Sequence, residues 1–600
     1  MSVQPNFQSL DIGTLLTGYR TRQFAPHEVI ESILAAIARA PEQHAWITRL
    51  TEAQVFDYVR ALETKIPDAL PLYGIPFAIK DNIDLAGVPT TAACPAHAYM
   101  PERSAYVVQR LIDAGAIPIG KTNLDQFATG LVGTRSPYGA CRNAFDGDYI
   151  SGGSSSGSAV AVAMGLVSFS LGTDTAGSGR VPAAFNNLIG LKPTRGVLST
   201  TGVVPACRSL DCVSIFALTS ADAARVLDVA QHYDAADVYA RPAHSAPHFS
   251  QAKFRFGVPS ANALQFFSDT EYERLFHASL AQLEKLGGAR VEIDFEPFLQ
   301  TARLLYEGPW VAERYLAIKA RIEQEPETLF PVTRQIISTG ARGSALDAFN
   351  AEYRRVELKR ASEAAWEQVD VIVTPTAGTI YRIAEVETDP LQPNSNLGYY
   401  TNFMNLLDLS AVAVPAGFRE DGLPFGVTLF APAFNESNLL ALADRLHRSI
   451  EPPAGASNNA LPTEQFSAII SRDEIAVAVC GAHMEGLALN HQLTTRGARL
   501  LQRTRTAPHY RFYALPGGPP QRPGLVRVAA DGAAIEVEVW AVPAQHFGAF
   551  VAQIPAPLGI GKLELADGTW VPGFICENYA THGAQDITRL GGWRAYLGNS

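Results

Sequence analysis

The chain has 600 residues, of which 47% are hydrophobic and 18% charged, and its formal net charge is −11. A chain of this length can bury a large core and can form several domains, whereas the net negative charge argues against a nucleic-acid-binding surface. The six cysteines are irregularly spaced and include no C-x-x-C pair, so the sequence suggests neither a zinc knuckle nor a disulfide framework.

The N-terminus and the apolar runs bear on where the chain resides. The N-terminal sequence MSVQPNFQSL has no basic region followed by a long apolar run, so we expect no secretion signal. The longest apolar run, AVAVAMGLV (159–167), is too short to span a membrane. We therefore expect a soluble, cytoplasmic enzyme.

The first domain reads as an α/β fold. Residues 1–60 carry apolar residues at helical spacing, and from Tyr73 short β-branched runs alternate with Gly-rich turns and helices. Residues 260–370 are predicted to be mainly helical. VDVIVTPTA (369–377) and LSAVAVPAGF (409–418) then read as buried strands, and a helix ends this domain at about residue 450.

The composition changes after residue 450. The stretch EPPAGASNNALPTE (451–464) is rich in Pro, Ala, Gly and Asn, and such a stretch is typical of a linker. Beyond it, strand patterns and proline turns predict a smaller β-rich α+β domain. We therefore expect three parts: a domain over 1–450, a linker over 451–465 and a second domain over 466–600.

One motif is discounted. GAIPIGKT (115–122) matches the phosphate-loop pattern G-x-x-x-x-G-K-T, but its four intervening residues form a short apolar strand with a proline instead of a Gly-rich cradle for phosphate. We interpret it as a buried strand ending at Gly120. Histidines are scattered and form no H-E-x-x-H motif, so a zinc hydrolase has no support.

Three segments carry residues suited to catalysis: GIPFAIKDNID (74–84), SGGSSSGSA (151–159) and LGTDTAGSGRVPAAF (171–185). Lys80 follows an apolar run, so it is either a base with a lowered pKa or a lysine whose amine reaches solvent. The second segment contains G-x-S-x-G centred on Ser155, which indicates a nucleophile elbow or only a flexible loop. In the third segment, the small residues before Ser178 form either an oxyanion hole or an ordinary tight turn.

Together these segments resemble the amidase signature family. The resemblance runs from about residue 73 to 194, is densest over 151–196, and extends to the strands at 371–376 and 409–418. It implies an α/β/α sandwich around a large mixed sheet, with no metal or cofactor. Two departures are noted: Ala176-Gly177 and Ser156-Gly157 stand where the family usually has Gly-Gly.

The family resemblance also implies a Ser–cis-Ser–Lys triad. Ser178 corresponds to the nucleophile, Ser154 to a bridging serine that follows a cis peptide, and Lys80 to the general base. The backbone N–H groups of Thr175, Ala176 and Gly177 correspond to the oxyanion hole.

Within the family, the nucleophile segment, ACRSLDC (206–212) and the second domain resemble the allophanate hydrolases. This implies a small anionic substrate, allophanate, and a homodimer without nucleic-acid or membrane partners. Tyr306 and Arg314 are expected on one helix face, gripping the substrate's carboxylate; the alternative is a surface arginine paired with Glu307 or Glu313.

The second domain contains CGAHMEGLALNHQL (480–493). His483 within it corresponds to a histidine that assists breakdown of the N-carboxycarbamate released by the first domain. The alternative is a structural histidine. For the whole chain two other functions stay open: a different amidase, acting on biuret, aryl amides or glutamine, and a non-catalytic scaffold.

Overall fold

The computed structural model describes residues 9–598 apart from 245, 247–248, 252, 458, 465 and 467–473. The first eight residues, on which the expectation of no secretion signal rests, lie outside this range. The described residues fall into two compact units, one drawn from 1–244 and 250–466 and the other from 245–249 and 467–600. Within the described part of the chain, no helix is both long and apolar enough to cross a bilayer.

The first unit is built on one large mixed sheet. Its strands are β1 (Trp46–Arg49), β2 (Pro76–Lys80), β3 (Ile117–Thr122), β4 (Phe169–Asp174), β5 (Ile189–Lys192), β6 (Cys212–Ala217), β7 (Phe254–Pro259), β8 (Gly288–Ile293), β9 (Val371–Pro375), β10 (Leu409–Phe418) and β11 (Pro424–Pro432).

The strand order in this sheet is β1-β3-β2-β4-β6-β5-β10-β11-β9-β7-β8. Strands β2, β3 and β4 pair in parallel, whereas β4–β6 and β10–β11 are antiparallel. Every residue of β2, β3 and β4 is buried. Strands covered on both faces are apolar without alternation, and this explains the continuous apolar runs of the sequence. The predicted α/β class and mixed sheet are confirmed.

The first unit also contains helices, several of which pack against the sheet. They are α1 (Ile12–Thr21), α2 (Pro26–Arg39), α3 (Glu52–Leu62), α4 (Tyr106–Asp113), α5 (Ser156–Ala163), α6 (Val181–Phe185), α7 (Ser220–Ala230), α8 (Thr270–Lys285), α9 (Glu296–Glu307), α10 (Trp310–Ala317), α11 (Lys319–Gln324), α12 (Pro331–Ser338), α13 (Ala345–Trp366), α14 (Ile383–Thr388), α15 (Gln392–Leu397) and α16 (Glu436–Ile450).

Helix α5 is buried on every side. Its sequence, SGSAVAVA, consists of small and apolar residues, and a helix without a polar face is stable only inside a core. It contacts β2, β3 and β4. The serine-rich loop before it is therefore held against the centre of the sheet.

The discounted phosphate-loop motif lies in β3. The strand continues two residues beyond the predicted end, through Lys121 and Thr122. The Lys121 Nζ atom lies 3.3 Å from the Asp81 carboxylate, and both side chains are fully buried. This lysine is thus an internal ion-pair partner instead of a phosphate ligand.

Residues 451–464, predicted to begin a linker, pack against the first unit where they are described. The Asn187 side chain donates to the carbonyl oxygens of Pro453 and Gly455 at 2.8 and 2.9 Å, and Glu464 pairs with Arg225. The segment is therefore tied to the first unit at Pro453, Gly455 and Glu464.

The second unit is β-rich. Its strands are β12 (Glu474–Val479), β13 (Arg499–Arg505), β14 (Tyr510–Leu515), β15 (Arg522–Arg527), β16 (Glu536–Pro543), β17 (Leu558–Glu564), β18 (Trp570–Cys576) and β19 (Gln585–Asp586), and its helices are α17 (His491–Thr494), α18 (Ala544–Val551) and α19 (Trp593–Leu597). The strands form a five-stranded sheet, β13-β16-β12-β18-β17, and a three-stranded sheet, β15-β14-β19.

Candidate active site

Lys80 lies at the end of β2, in the middle of the parallel part of the sheet. It is fully buried. Its Nζ atom lies 2.8 Å from Ser154 Oγ and 2.7 Å from Thr173 Oγ1 on β4. The reading of Lys80 as a lysine that reaches solvent is therefore wrong, and the structure brings Lys80 and Ser154 together.

Burial of the Lys80 amine lowers its pKa to about 7. Burial is the largest effect because it disfavours the charged form. The carboxylates of Asp125, Asp211 and Asp174 partly oppose it, and the Arg314 guanidinium adds to it. A lysine in this state loses its proton near neutral pH and can then accept one from a hydroxyl group.

The serine-rich loop contains a cis peptide bond between Gly153 and Ser154. The Asp125 N–H donates to the Ser154 carbonyl oxygen at 3.1 Å. A Cβ atom on Gly153 would lie 2.2 Å from Asp125 Oδ2, so this position admits only glycine without a shift of its neighbours.

The other serines of this loop have structural partners. Ser155 Oγ donates to the Thr173 carbonyl oxygen at 3.1 Å, and Ser156 Oγ donates to the Asn123 carbonyl oxygen at 3.2 Å. Ser155, to which the nucleophile-elbow pattern pointed, is thus turned onto the backbone of β4. Ser154 is the serine of this group that contacts the buried amine.

Ser178 lies in the turn after β4, where Asp174 organises the backbone. The Asp174 carboxylate accepts hydrogen bonds from the N–H groups of Gly177 and Gly179 at 2.9 and 3.0 Å and from Arg180 Nε at 2.9 Å. Burial alone would raise the pKa of Asp174, but Arg180 and these donors hold it below its ordinary value. The carboxylate is therefore a fixed anion that shapes the turn.

Three observations on this turn bear on the predicted site. The Gly177 N–H already donates to the Asp174 carboxylate. Of the three predicted oxyanion donors, only the N–H groups of Thr175 and Ala176 make no contact with that carboxylate. Ser178 is buried, with 2% of its surface exposed. Among the described residues no hydrogen bond joins Ser154 Oγ to Ser178 Oγ.

Tyr306 and Arg314 do not share a helix, and that prediction is wrong. Tyr306 lies in the last turn of α9 and Arg314 in α10, because Gly308 and Pro309 end the first helix. The two side chains nevertheless meet, with Arg314 Cζ 5.7 Å from the centre of the Tyr306 ring. The predicted proximity of Tyr306 and Arg314 is therefore found, but it arises between two helices and not along one helix face.

Arg314 is buried, with 2% of its surface exposed, so the alternative of a surface ion pair is also wrong. Its Nη1 atom donates to the Ala128 carbonyl oxygen at 3.2 Å and to Thr129 Oγ1 at 3.1 Å. Burial alone would lower the pKa of the guanidinium, but Cys207, Tyr306, Asp211 and Glu313 raise it above its ordinary value.

A cavity of about 530 Å³ opens beside Tyr306 in the first unit. Its lining includes Arg135, Asn394 and Asn402 together with residues of α9 and α12. Arg135 was not identified from the sequence, where it is one arginine in a polar turn with no pattern around it. Its guanidinium is buried and donates to the carbonyl oxygens of Thr129 and Pro390 at 3.0 and 2.6 Å. It is therefore a second buried cation near the Tyr306–Arg314 pair.

His483 lies in the second unit, beyond the end of β12. Its Nε2 atom lies 3.0 Å from Gln492 Oε1, and its ring stacks on Phe574 with centroids 4.9 Å apart. Burial lowers the pKa of the imidazole. His483 also lines a cavity of about 160 Å³ with Gln492, Arg522 and Gln553. The ring is therefore a neutral group at the wall of a small, mostly apolar cavity that also contains a few polar side chains.

In the residues that the structure describes, no cluster of three or more His, Cys, Asp or Glu side chains is arranged to hold a metal ion.

Comparisons with known proteins match both parts of the chain. The Amidase family model matches residues 28–440, and the model of the allophanate hydrolase C-terminal domain matches residues 475–598. The solved structure of selenomethionine-substituted Kluyveromyces lactis allophanate hydrolase covers all of this chain and is itself fully covered, with 42% identity and a TM-score of 0.83.

Two curated relatives place these matches in context. The urea amidolyase of Saccharomyces cerevisiae is 46% identical over 590 residues, which are 95% of this chain but 32% of that protein. The chain thus spans about a third of that relative's length. A glutamyl-tRNA(Gln) amidotransferase subunit of Persephonella marina is 33% identical over 71% of this chain and 94% of its own length.

Proposed function

The chain belongs to the amidase family and carries an allophanate hydrolase C-terminal domain, and from this premise we propose that it hydrolyses allophanate (urea-1-carboxylate) to ammonia and carbon dioxide. The observation that carries the proposal is the contact between Lys80 Nζ and Ser154 Oγ in a chain that matches both domains of an allophanate hydrolase. The similarity to the amidotransferase protein covers 71% of this chain, whereas the allophanate hydrolase structure covers all of it.

In the proposed first step, Ser178 Oγ attacks the carbonyl carbon of the terminal amide. A serine hydroxyl needs an adjacent base to do this. Neutral Lys80 takes the Ser154 proton, and Ser154 takes the Ser178 proton. The N–H groups of Thr175 and Ala176 stabilise the oxyanion.

The relay then reverses. The proton passes back through Ser154 to the leaving nitrogen, and ammonia departs from an acyl-enzyme on Ser178. Water hydrolyses this ester and releases N-carboxycarbamate. Arg314 and Tyr306 bind the carboxylate of the substrate throughout, a role that suits a guanidinium because its donors pair with both carboxylate oxygens.

The second domain then assists the loss of carbon dioxide from N-carboxycarbamate. Among mostly apolar residues, the lining of the cavity beside His483 includes Arg522 and two glutamines, and a cation with neutral hydrogen-bonding groups suits a small dianion. A neutral imidazole at its wall can donate or accept a proton as the nitrogen regains one.

A substrate panel tests this function. We expect kcat/KM for allophanate to exceed that for biuret, glutamine and a neutral aliphatic amide such as propionamide by at least ~100-fold. Biuret and propionamide carry no carboxylate for Arg314, and the carboxylate of glutamine is three carbons from its amide carbonyl instead of one nitrogen away. Ser178→Ala is the inactive control. Release of ammonia from biuret or glutamine at a higher kcat/KM than from allophanate would overturn the proposal.

The homodimer also belongs to this proposal. Helix α13 exposes four large apolar side chains on one face: Leu346, Phe349, Tyr353 and Val356, at 76, 62, 63 and 53% exposure. Their spacing of three, four and three residues reads the same in both directions, so two antiparallel copies of α13 set Leu346 against Val356 and Phe349 against Tyr353. A two-fold interface needs such self-complementarity.

The area of this stripe fits a stable pair. Four such side chains on each copy bury on the order of 1,000 Å² together, which is the lower end of what a specific interface needs. We expect Phe349→Glu with Tyr353→Glu to convert a dimer into a monomer in sedimentation velocity, with far-UV circular dichroism unchanged. A wild-type monomer at micromolar concentration, or a double variant that stays dimeric, would contradict this interface.

We place the enzyme in the cytoplasm. All six cysteines are free and buried, and free thiols are typical of a reducing compartment.

A further inference from the structure

The segment ACRSLDC (206–212) stands out in the sequence, yet the mechanism above gives it no role. At its end, Asp211 is buried. Its Oδ1 atom accepts hydrogen bonds from the Thr175 hydroxyl and, at 3.2 Å, from the Cys207 N–H, and its Oδ2 atom accepts from the Ala206 N–H at 2.7 Å. The two backbone hydrogen bonds hold residues 206–211 in a turn, and the third hydrogen bond fixes the Thr175 hydroxyl.

Thr175 is one of the two proposed oxyanion donors. Its side chain is fixed by Asp211, and its carbonyl oxygen accepts from the Asn405 amide at 3.2 Å. An oxyanion hole acts through donors held in place before the charge develops. The position of the Thr175 N–H is thus set by bonds on both sides of it.

The same segment contacts helix α10, which carries Arg314. The Ser209 N–H donates to the Glu313 carboxylate at 2.8 Å, and the Ser209 hydroxyl donates to its other oxygen. The Cys207 thiol donates to the Trp310 carbonyl oxygen at 3.4 Å. Glu313 directly precedes Arg314, so these bonds fix the turn from which the guanidinium extends.

We propose that residues 206–211 form a strut that holds the oxyanion donors at a fixed distance from Arg314. In this strut, Asp211 is the positioning residue for Thr175. The Ser209–Glu313 pair is the positioning contact for Arg314. The Arg314 part rests on the proposed function, since it assumes that Arg314 binds the substrate's carboxylate. The Asp211 part needs only that Ser178 is a nucleophile.

Asp211 also contributes charge to the site. The charged groups that act on the Lys80 amine are Asp125, Asp174, Asp211 and Arg314. The Asp211 carboxylate favours protonated Lys80, so its neutralisation lowers the pKa of the lysine further. Thr175 carries no charge, so its substitution should leave the pKa of Lys80 unchanged.

The test uses the full chain and a fluorophosphonate probe, because labelling of Ser178 needs no allophanate. We expect Asp211→Asn and Thr175→Val each to lower the labelling rate at least ~10-fold, since small displacements in a preorganised site are costly. Thr175→Ser keeps the hydroxyl and should stay within about 3-fold of wild type. The acid limb of the labelling-rate profile should move to lower pH in Asp211→Asn and stay in place in Thr175→Val.

The strut to α10 is tested separately with Ser209→Ala. We expect KM for allophanate to rise about 10-fold in this variant. KM for propionamide and the labelling rate should change little. Two results would overturn the Asp211 role: Thr175→Val labels as fast as wild type, or Thr175→Ser labels as slowly as Thr175→Val. Both results can be obtained even if Asp211→Asn fails to fold. Equal changes in KM for both substrates would overturn the Arg314 role. Normal labelling without ammonia from allophanate would reject the proposed function and leave the Asp211 result standing.

Discussion

Lys80 is a buried amine whose Nζ atom contacts Ser154 Oγ. From the sequence, Lys80 had two readings, because an apolar run before a lysine suits both a buried base and a side chain that reaches solvent. The neighbours that decide between them, Ser154 and Thr173, are distant in sequence and meet Lys80 only when β2 pairs with β4. The family resemblance supplied what the local pattern could not.

The pKa of Lys80 predicts the pH dependence of the enzyme. Only the neutral amine accepts a proton, and burial lowers the pKa of this lysine to about 7. We therefore expect kcat/KM for allophanate to fall tenfold per pH unit below about pH 7 and to level off above it. An acid limb below pH 5, where a carboxylate titrates, would contradict Lys80 as the base.

Loss of the Ser154 hydroxyl should lower activity far more than loss of a neighbouring buried serine hydroxyl. We expect Ser154→Ala to lower kcat about 10²–10⁴-fold, because the proton path between Lys80 and Ser178 is lost. Ser170→Ala is the matched control, since Ser170 is a buried serine on β4 whose hydroxyl donates to the Ser158 carbonyl oxygen. Steady-state ammonia release measures both variants, and similar losses in the two would show that Ser154 has only a packing role.

Arg314 should act on the substrate's charge. We expect Arg314→Ala to raise KM for allophanate at least ~10-fold more than KM for propionamide, because only the former loses a carboxylate partner. The change must be read from both substrates in one preparation. Equal increases would show that the arginine supports the fold around Ala128 and Thr129 and does not bind the carboxylate.

At the scale of elements, the sequence identified segments better than their pairing. Strands β2, β9 and β10 lie where apolar runs predicted them. The break between α9 and α10 was missed, although Gly308 and Pro309 signal it, because the pattern of apolar residues continues across it. The order of the sheet, in which β5 pairs with β10 from far along the chain, follows from long-range packing that local periodicity does not encode.

The junction of α1 and α7 holds two carboxyl groups that the active site does not use. The Asp222 Oδ1 atom accepts from the Ile12 N–H at 2.9 Å, and its Oδ2 atom has no hydrogen-bond partner among the described residues. Burial, with a contribution from the charge of Asp11, raises the pKa of Asp222 to about 7. The fold therefore favours the protonated form.

This raised pKa has a measurable consequence. The folded state binds more protons than the unfolded state between about pH 4 and 7, so the stability contributed by Asp222 falls as pH rises through that window. We expect Asp222→Asn to become more stable relative to wild type by on the order of 1–3 kcal/mol between pH 4.5 and 7.5. Urea unfolding at both pH values measures the difference, and a gap independent of pH would contradict the assignment.

At the scale of the whole molecule, we propose that two compact units divide two chemical steps. The second unit has its own core, around residues such as Trp540 and Trp593, and its own cavity beside His483. We expect His483→Asn to leave initial ammonia release by the first unit unchanged and to slow the release of carbon dioxide. Equal slowing of both products would contradict a division of labour between the units.

The most direct test of this mechanism is the stoichiometry of ammonia released from allophanate by the wild-type chain and by Ser178→Ala at pH 8. We expect two ammonia per allophanate consumed for the wild type and none above background for the variant, since hydrolysis passes through an ester on Ser178. Ammonia released by Ser178→Ala at a rate near that of the wild type would contradict the mechanism.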